Sequence, residues 1–139
     1  ITTNLSLVAS GAIGANELVS ITNDAGTAKV IKATASTANQ YVVGLAVASI
    51  ADAGSSKNKI ADVGAASVKV EVGLGTSIVA GNILYLSAVT GATAGRVTTA
   101  APTTGTVFVV GIATGAWDFE GDPSTPVNLH LDRQFLYNA

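Results

Sequence analysis

Hydrophobic and polar residues alternate along several short stretches of this chain. Between Ser67 and Val72 the valines occupy every second position, with Lys69 and Glu71 between them, and residues 127–132 alternate in the same way. A period of two places all the apolar side chains on one face of a β-strand. These two stretches therefore predict strands with one buried face.

Two other stretches, Tyr41–Ile50 and Val107–Ile112, are apolar almost throughout. Continuous apolar runs of this length are typical of strands covered on both faces, either by the core or by a neighbouring subunit. Gly, Asn, Asp and Ser separate the apolar runs, as in Asn23–Gly26, where the chain must reverse. The predicted strands are Leu5–Val8, Glu17–Thr22, Ala28–Ala33, Tyr41–Ile50, Ser67–Val72, Asn82–Ser87, Gly95–Thr98, Val107–Ile112 and Val127–Asp132.

The pattern contains no convincing amphipathic helix. About nine strands in 139 residues predict one all-β domain, a compact antiparallel β-barrel or sandwich that spans residues 1–139.

The two parts of the chain also resemble each other, which predicts two similar halves. In both halves an aromatic residue is followed by Val-Val-Gly, then Leu or Ile, then Ala. Chance similarity in a chain rich in Ala, Val and Gly is the alternative explanation. Gly44 and Gly111 lie inside these strands, where glycine marks a bulge or a close backbone approach. The matched segments are Asn16–Ile21 with Asn82–Ser87, Lys29–Val30 with Arg96–Val97, and Tyr41–Ala46 with Phe108–Ala113.

Composition narrows the range of partners. Charged residues make up 12% of the chain and apolar residues 48%, against about 25% charged in a typical domain, so the chain has the composition of a folded protein. Its net charge of −2 supplies no cationic field for nucleic acid or anionic lipid. The longest uncharged apolar run, Tyr41–Ala51, is about half the ~20 residues of a membrane-spanning helix. We therefore expect neither a nucleic-acid partner nor a membrane partner.

The chain offers little for catalysis. It contains no cysteine and a single histidine, His130, so thiol nucleophiles, thiolate metal sites and multi-histidine metal sites are excluded. Any Ser-His-Asp arrangement would have to use His130, which lies between Asn128 and Asp132 on the polar face of a predicted strand. We expect a solvated or interface histidine, no enzyme activity and no cofactor.

Acidic residues gather near the C-terminus. Asp118, Glu120, Asp122 and Asp132 outnumber Arg133 in residues 114–139, which gives this segment a charge of −3. Alternate carboxylates in a loop are a conceivable Ca²⁺ site, but the spacing is not that of an EF-hand loop. The expectation is a solvated acidic turn without a metal.

The same region carries the candidate partner contacts. The chain ends in an apolar and aromatic tail, Gln134–Ala139, which is costly to expose and is expected to dock on its own domain or on a neighbour. We predict segments 1–14 and 117–139 as contact arms. The candidate contact residues are Trp117, Asp118, Glu120, Asp122, Phe135, Leu136 and Tyr137.

Taken in order, several short motifs resemble the head decoration proteins of tailed bacteriophages, also called capsid cement proteins. The resemblance covers roughly Ala15–Ala116. Asn82 stands where that family usually has Asp, and the acidic loop and tail after Gly115 lie outside the resemblance. The motifs are Asn16–Val19, Tyr41–Ala46, Val68–Gly73, Ile78–Leu86, Gly95–Val97 and Val109–Ala113.

The resemblance implies a small β-barrel protein, commonly a homotrimer, on the outer surface of an icosahedral virion, where it clamps neighbouring major capsid subunits. Two alternatives from other classes stay open. One is a self-assembling filament, tail or surface-layer subunit, which would assemble without a capsid. The other is a carbohydrate-binding adhesin module, for which Trp117 is the candidate sugar-stacking residue.

Overall fold

The computed structural model describes residues 2–139, and it confirms the all-β expectation. Two antiparallel sheets carry the fold, one with strand order β2-β1-β3-β4 and one with order β5-β9-β8-β6-β7. A 3-10 turn spans Gly91–Thr93. The strands are β1 Leu18–Asp24, β2 Thr27–Lys32, β3 Val42–Ala46, β4 Ile60–Ala61, β5 Gly64–Val68, β6 Ile83–Leu86, β7 Val97–Thr98, β8 Thr106–Ala113 and β9 Val127–Asn138.

One of the strand predictions was wrong and two were wrong in part. Leu5–Val8 forms no strand, because the N-terminal segment makes single bridges to several partners, as Val8 does to Ser55. The strand predicted at Ser67–Val72 ends at Val68, since the chain then leaves β9 and Val70 bridges Val97 instead, and Val72 is exposed. The strand predicted at Tyr41–Ile50 ends at Ala46.

Strand β9 is longer than its alternating pattern indicated. It continues from Val127 through the apolar tail to Asn138, where it pairs with Thr106 of β8. Strand β4 was missed, because a two-residue strand, Ile60–Ala61, leaves no periodic signal.

The two halves of the chain do repeat the same architecture. Strand β1 pairs with β2 and β3 as β6 pairs with β7 and β8. The β1–β3 pair and the β6–β8 pair each contain a register shift, and the two shifts lie at equivalent positions. Val19 faces Gly44 as Leu84 faces Gly111. The predicted matches of Lys29–Val30 with Arg96–Val97 and of Tyr41–Ala46 with Phe108–Ala113 are therefore confirmed. The match of Asn16–Ile21 with Asn82–Ser87 was wrong by one residue, since the register places Glu17, not Asn16, opposite the position of Asn82 in the repeat.

Backbone hydrogen bonds extend the repeat beyond the strands. The carbonyl of Glu17 accepts from the amide of Ala46, and the carbonyl of Asn82 accepts from that of Ala113, each at 2.9 Å. Isolated β-bridges also match between the halves. Ala9 bridges Val30 in the first half as Val70 bridges Val97 in the second. Because this agreement includes pairs of different residues, such as Ala9 with Val70 and Ile50 with Trp117, it removes the chance explanation of the resemblance.

The structure has two buried clusters, a smaller one formed by the first half and a larger central one formed by both halves. Every buried residue of the smaller cluster has a second-half equivalent in the central cluster. The equivalent pairs are Ala9 and Val70, Ile13 and Ile78, Val19 and Leu84, Val30 and Val97, Ala46 and Ala113, Ile50 and Trp117, and Ile60 and Leu129.

Gly44 and Gly111 fulfil the predicted close approach. A Cβ atom at Gly44 would overlap the Ala61 carbonyl oxygen of β4, and one at Gly111 would overlap the His130 carbonyl oxygen of β9. Only glycine lets the fourth strand of each half lie this close to the third.

Candidate contact surfaces

The acidic loop is a solvated turn held by its own side chains. Asp118 Oδ1 accepts a hydrogen bond from the backbone amide of Glu120 (3.0 Å), and Asp122 Oδ1 accepts one from that of Ser124 (2.8 Å). Such Asx turns fix the loop backbone and leave the remaining carboxylate oxygens exposed. Within residues 2–139, no three His, Cys, Asp or Glu side chains come together as metal ligands. The loop therefore presents negative charge to solvent, beside the exposed ring of Phe119.

Trp117 belongs to the core. It is 6% exposed, its backbone pairs with Ile78 in both directions, and its indole Nε1 donates to the Asp122 carbonyl (3.3 Å). The side chain packs under the acidic loop and fixes the base of that loop. The adhesin alternative relied on an exposed Trp117, and the buried indole offers no stacking face for a sugar.

A buried arginine lies beneath the other end of the loop. Arg96 Nη1 donates to the Val70 carbonyl (3.2 Å) and Nη2 approaches Ser124 Oγ at 3.5 Å, while the buried Nε has no acceptor among the described residues. The guanidinium of Arg96, the residue before β7, thus contacts both Val70 and the end of the loop.

The C-terminal tail docks through its backbone on its own chain. Residues 134–138 extend β9 along β8, and Asn138 Nδ2 donates to Asn39 Oδ1 (2.8 Å). The side chains of Phe135, Leu136 and Tyr137 nevertheless remain exposed. Their predicted role as partner contacts stays a prediction, as does that of the acidic loop.

A second apolar surface lies on the outer face of the five-stranded sheet, and the list of contact residues missed most of it. Ile83, Tyr85, Val109, Ile112 and Leu136 line a shallow groove of about 340 Å³, bordered by Asp132 and Gln134. The sequence pattern of β8 did indicate this second apolar surface. Residues 107–112 are apolar on both faces of their strand, yet the fold leaves Val109 half-buried and Ile112 exposed.

Glu17 forms the strongest electrostatic cluster. Its carboxylate is almost fully buried, accepts from the Gly14 amide (2.7 Å) and from Lys69 Nζ (3.0 Å), and lies 3.3 Å from Lys32 Nζ. Burial alone raises the pKa of Glu17, but the Gly14 hydrogen bond and the two lysines outweigh it, so the pKa is lowered. The cluster joins β1 to the segment before it and to Lys69, a structural role.

His130 lies on the exposed side of β9, as do Asn128 and Asp132, which confirms the polar face expected there. Among the described residues, no helix is long and apolar enough to cross a membrane.

Comparison with known proteins identifies the fold. No family model matches the chain, and no curated protein matches it. Its structure is similar to the crystal structure of the N base of head fiber gp8.5 in bacteriophage phi29, with a TM-score of 0.61 and 17% sequence identity over 98% of each chain. Because the match spans nearly all of both chains, the overall fold of this chain is similar to that of a phage head fiber base.

Proposed function

We propose that this chain is a non-enzymatic structural protein of a tailed-phage virion. It binds the outer surface of the assembled icosahedral capsid as a homotrimer and joins neighbouring major capsid subunits. The observation that carries the proposal is the fold similarity to a phage head fiber base over 98% of each chain. The sequence motifs that resemble capsid cement proteins point to the same place in the particle.

The surfaces of the molecule suit this role. The acidic loop offers exposed charged contacts, and the aromatic tail offers exposed apolar contacts. A protein that binds the assembled shell, and not the free subunits, stabilises the shell by mass action. This function needs binding alone, with no bond chemistry.

Gradient sedimentation of the native source material tests the proposal. Mass spectrometry of each fraction gives the copy number of this chain relative to the major capsid protein. We expect the chain to sediment with heads in many copies. Recovery in fibres that lack capsid protein would instead favour the filament alternative, and recovery as free protein would overturn a virion role.

Binding to stripped particles then tests the contact residues. Neutralising the loop with Asp118→Asn, Glu120→Gln and Asp122→Asn is expected to lower particle occupancy, most strongly at low salt, because exposed charges are screened by ions. Asp24→Asn removes an exposed charge of another region and is the matched control. Unchanged occupancy of the loop variant would remove the loop from the capsid contact.

A further inference from the structure

The contact between the two halves of the chain gives a template for a contact between chains. The first half packs one face of its sheet, formed by Leu18, Val42 and Leu45, into the central cluster, and all three are buried. We call this the inserting face. The second half contributes Leu86 and Phe108 to the same cluster, both fully buried, and we call this pair the receiving face.

Hydrogen bonds show that the contact joins the halves closely. The amide of Leu18 donates to the Gly95 carbonyl (2.7 Å), and Ala35 donates to the Ser87 carbonyl (2.9 Å) and accepts from the Thr106 amide (3.0 Å). Backbone hydrogen bonds and the packing of apolar side chains therefore both connect the first half to the second.

The same inserting face exists in the second half, where the described residues leave it largely uncovered. The register makes Ile83, Val109 and Ile112 the equivalents of Leu18, Val42 and Leu45. Ile83 is 49% exposed and Ile112 is 47% exposed, whereas their first-half equivalents are at most 1% exposed. These residues line the groove on the outer face of the five-stranded sheet.

The receiving face is likewise repeated and open in the first half. By the same register, Ile21 corresponds to Leu86, and Tyr41 corresponds to Phe108. Ile21 is 45% exposed and Tyr41 is 50% exposed, and part of the Tyr41 ring already rests edge-on against Phe108. The guanidinium carbon of Arg133 also lies 5.8 Å from the centre of the Tyr41 ring. The described residues thus leave one inserting face largely open and one receiving face open in part.

We propose that these two open faces bind each other between copies of this chain. The inserting face at Ile83 and Ile112 of one copy packs on the receiving face at Ile21 and Tyr41 of the next, and repeats the contact between the halves. A head-to-tail contact of this kind joins two different surfaces and builds a ring when its rotation closes. The inference supplies the interface for the homotrimer in the proposed function, but it rests on the internal repeat alone.

The test uses one variant for each face. Ile112→Glu places a carboxylate in the inserting face, and Ile21→Glu places one in the receiving face. Burying an unpaired carboxylate opposes association strongly, so each variant is expected to weaken self-association at least about a hundredfold by sedimentation velocity, while circular dichroism shows a folded chain. Val72→Glu, at an exposed valine in neither face, is the matched control and is expected to assemble like the wild type.

Mixing the two variants distinguishes this geometry from other dimers. Ile21→Glu keeps its inserting face and Ile112→Glu keeps its receiving face, so the mixture is expected to form a one-to-one heterodimer that grows no further. A wild-type chain that stays monomeric overturns the inference, as does an Ile21→Glu chain that still associates with itself.

The capsid experiment separates this inference from the proposed function. Head-to-tail assembly without binding to particles would support the interface and contradict the virion role. Particle binding by a chain that is monomeric in solution would support the virion role and contradict the interface.

Discussion

The buried carboxylate of Glu17 gives the sharpest prediction about stability. Glu17→Gln keeps the size of the side chain and the oxygen that accepts from the Gly14 amide, but removes the charge that faces Lys32 and Lys69. The amide nitrogen of the glutamine would then point its own donors at an ammonium group. The substitution isolates the electrostatic part of the cluster from its packing.

The magnitude follows from the two lysine contacts. A hydrogen bond to a charged group contributes about 1.5–3 kcal/mol and a neutral one about 0.5–1.5 kcal/mol. Both lysines keep some access to water and recover part of the loss by hydration. We therefore expect Glu17→Gln to lower the free energy of unfolding by about 2 kcal/mol at pH 7, or Tm by roughly 8 °C.

Acid titration provides the second readout. The folded state lowers the pKa of Glu17 below its usual value of 4.5. Its contribution is therefore fully present above the unfolded-state pKa and is lost as the pH falls through the folded-state pKa. The difference in stability between wild type and Glu17→Gln is expected to be constant near neutral pH and to shrink in acid below about pH 5.

Urea unfolding at a series of pH values measures both quantities. Asp24→Asn is the control, since it breaks an exposed pair with Lys29 (2.9 Å) and is expected to cost less than about 1 kcal/mol. A Glu17→Gln variant as stable as the wild type at pH 7, or a difference that persists unchanged in acid, would refute the electrostatic account of this cluster.

Four further substitutions, one of them a control, test the packing of the second half and its contact with the first. Gly111→Ala drives a methyl group into the His130 carbonyl of β9 and is expected to cost about 3 kcal/mol by urea unfolding, whereas Gly115→Ala, whose added Cβ would lie 3.6 Å from its nearest neighbour, is expected to be nearly neutral. Leu84→Ala empties a fully buried site and is expected to cost about 3 kcal/mol with an unchanged m-value; a cost below about 1 kcal/mol would contradict its core role. Arg133→Lys loses the hydrogen bonds that Nε donates to the Asp62 carbonyl and Nη1 donates to the carbonyls of Val42 and Val43. It is expected to lower Tm by several degrees, and an unchanged Tm would show that these bonds do not stabilise the fold.

Much of the fold could be predicted from local pattern. The alternation in residues 127–132 gave the buried and exposed faces of β9 correctly, and the shared Val-Val-Gly motif gave the repeat. Gly44 and Gly111 stood out because a glycine inside an apolar strand is costly unless another backbone needs its space. These features depend on neighbouring residues, so the sequence displays them directly.

The candidate surfaces were harder to predict. Composition singled out the acidic loop and the tail as candidate contacts, and their role stays a prediction. Trp117 was included with them, but it is buried in the core, as is its first-half equivalent Ile50. The groove around Ile83 and Ile112 was missed, because the sequence shows that a residue is apolar but not whether the fold covers it. The position of the other half of the chain decides which apolar face is covered and which is open.

The sequence by itself determined the all-β class, the duplication and the absence of thiol and multi-histidine chemistry, since all of these follow from residue type and local spacing. The tertiary structure alone decided which copy of each repeated surface is buried. One chain offers two inserting faces and two receiving faces, and folding joins one of each. The unused pair, at Ile83 with Ile112 and at Ile21 with Tyr41, is open because a single chain can make the contact between its halves only once.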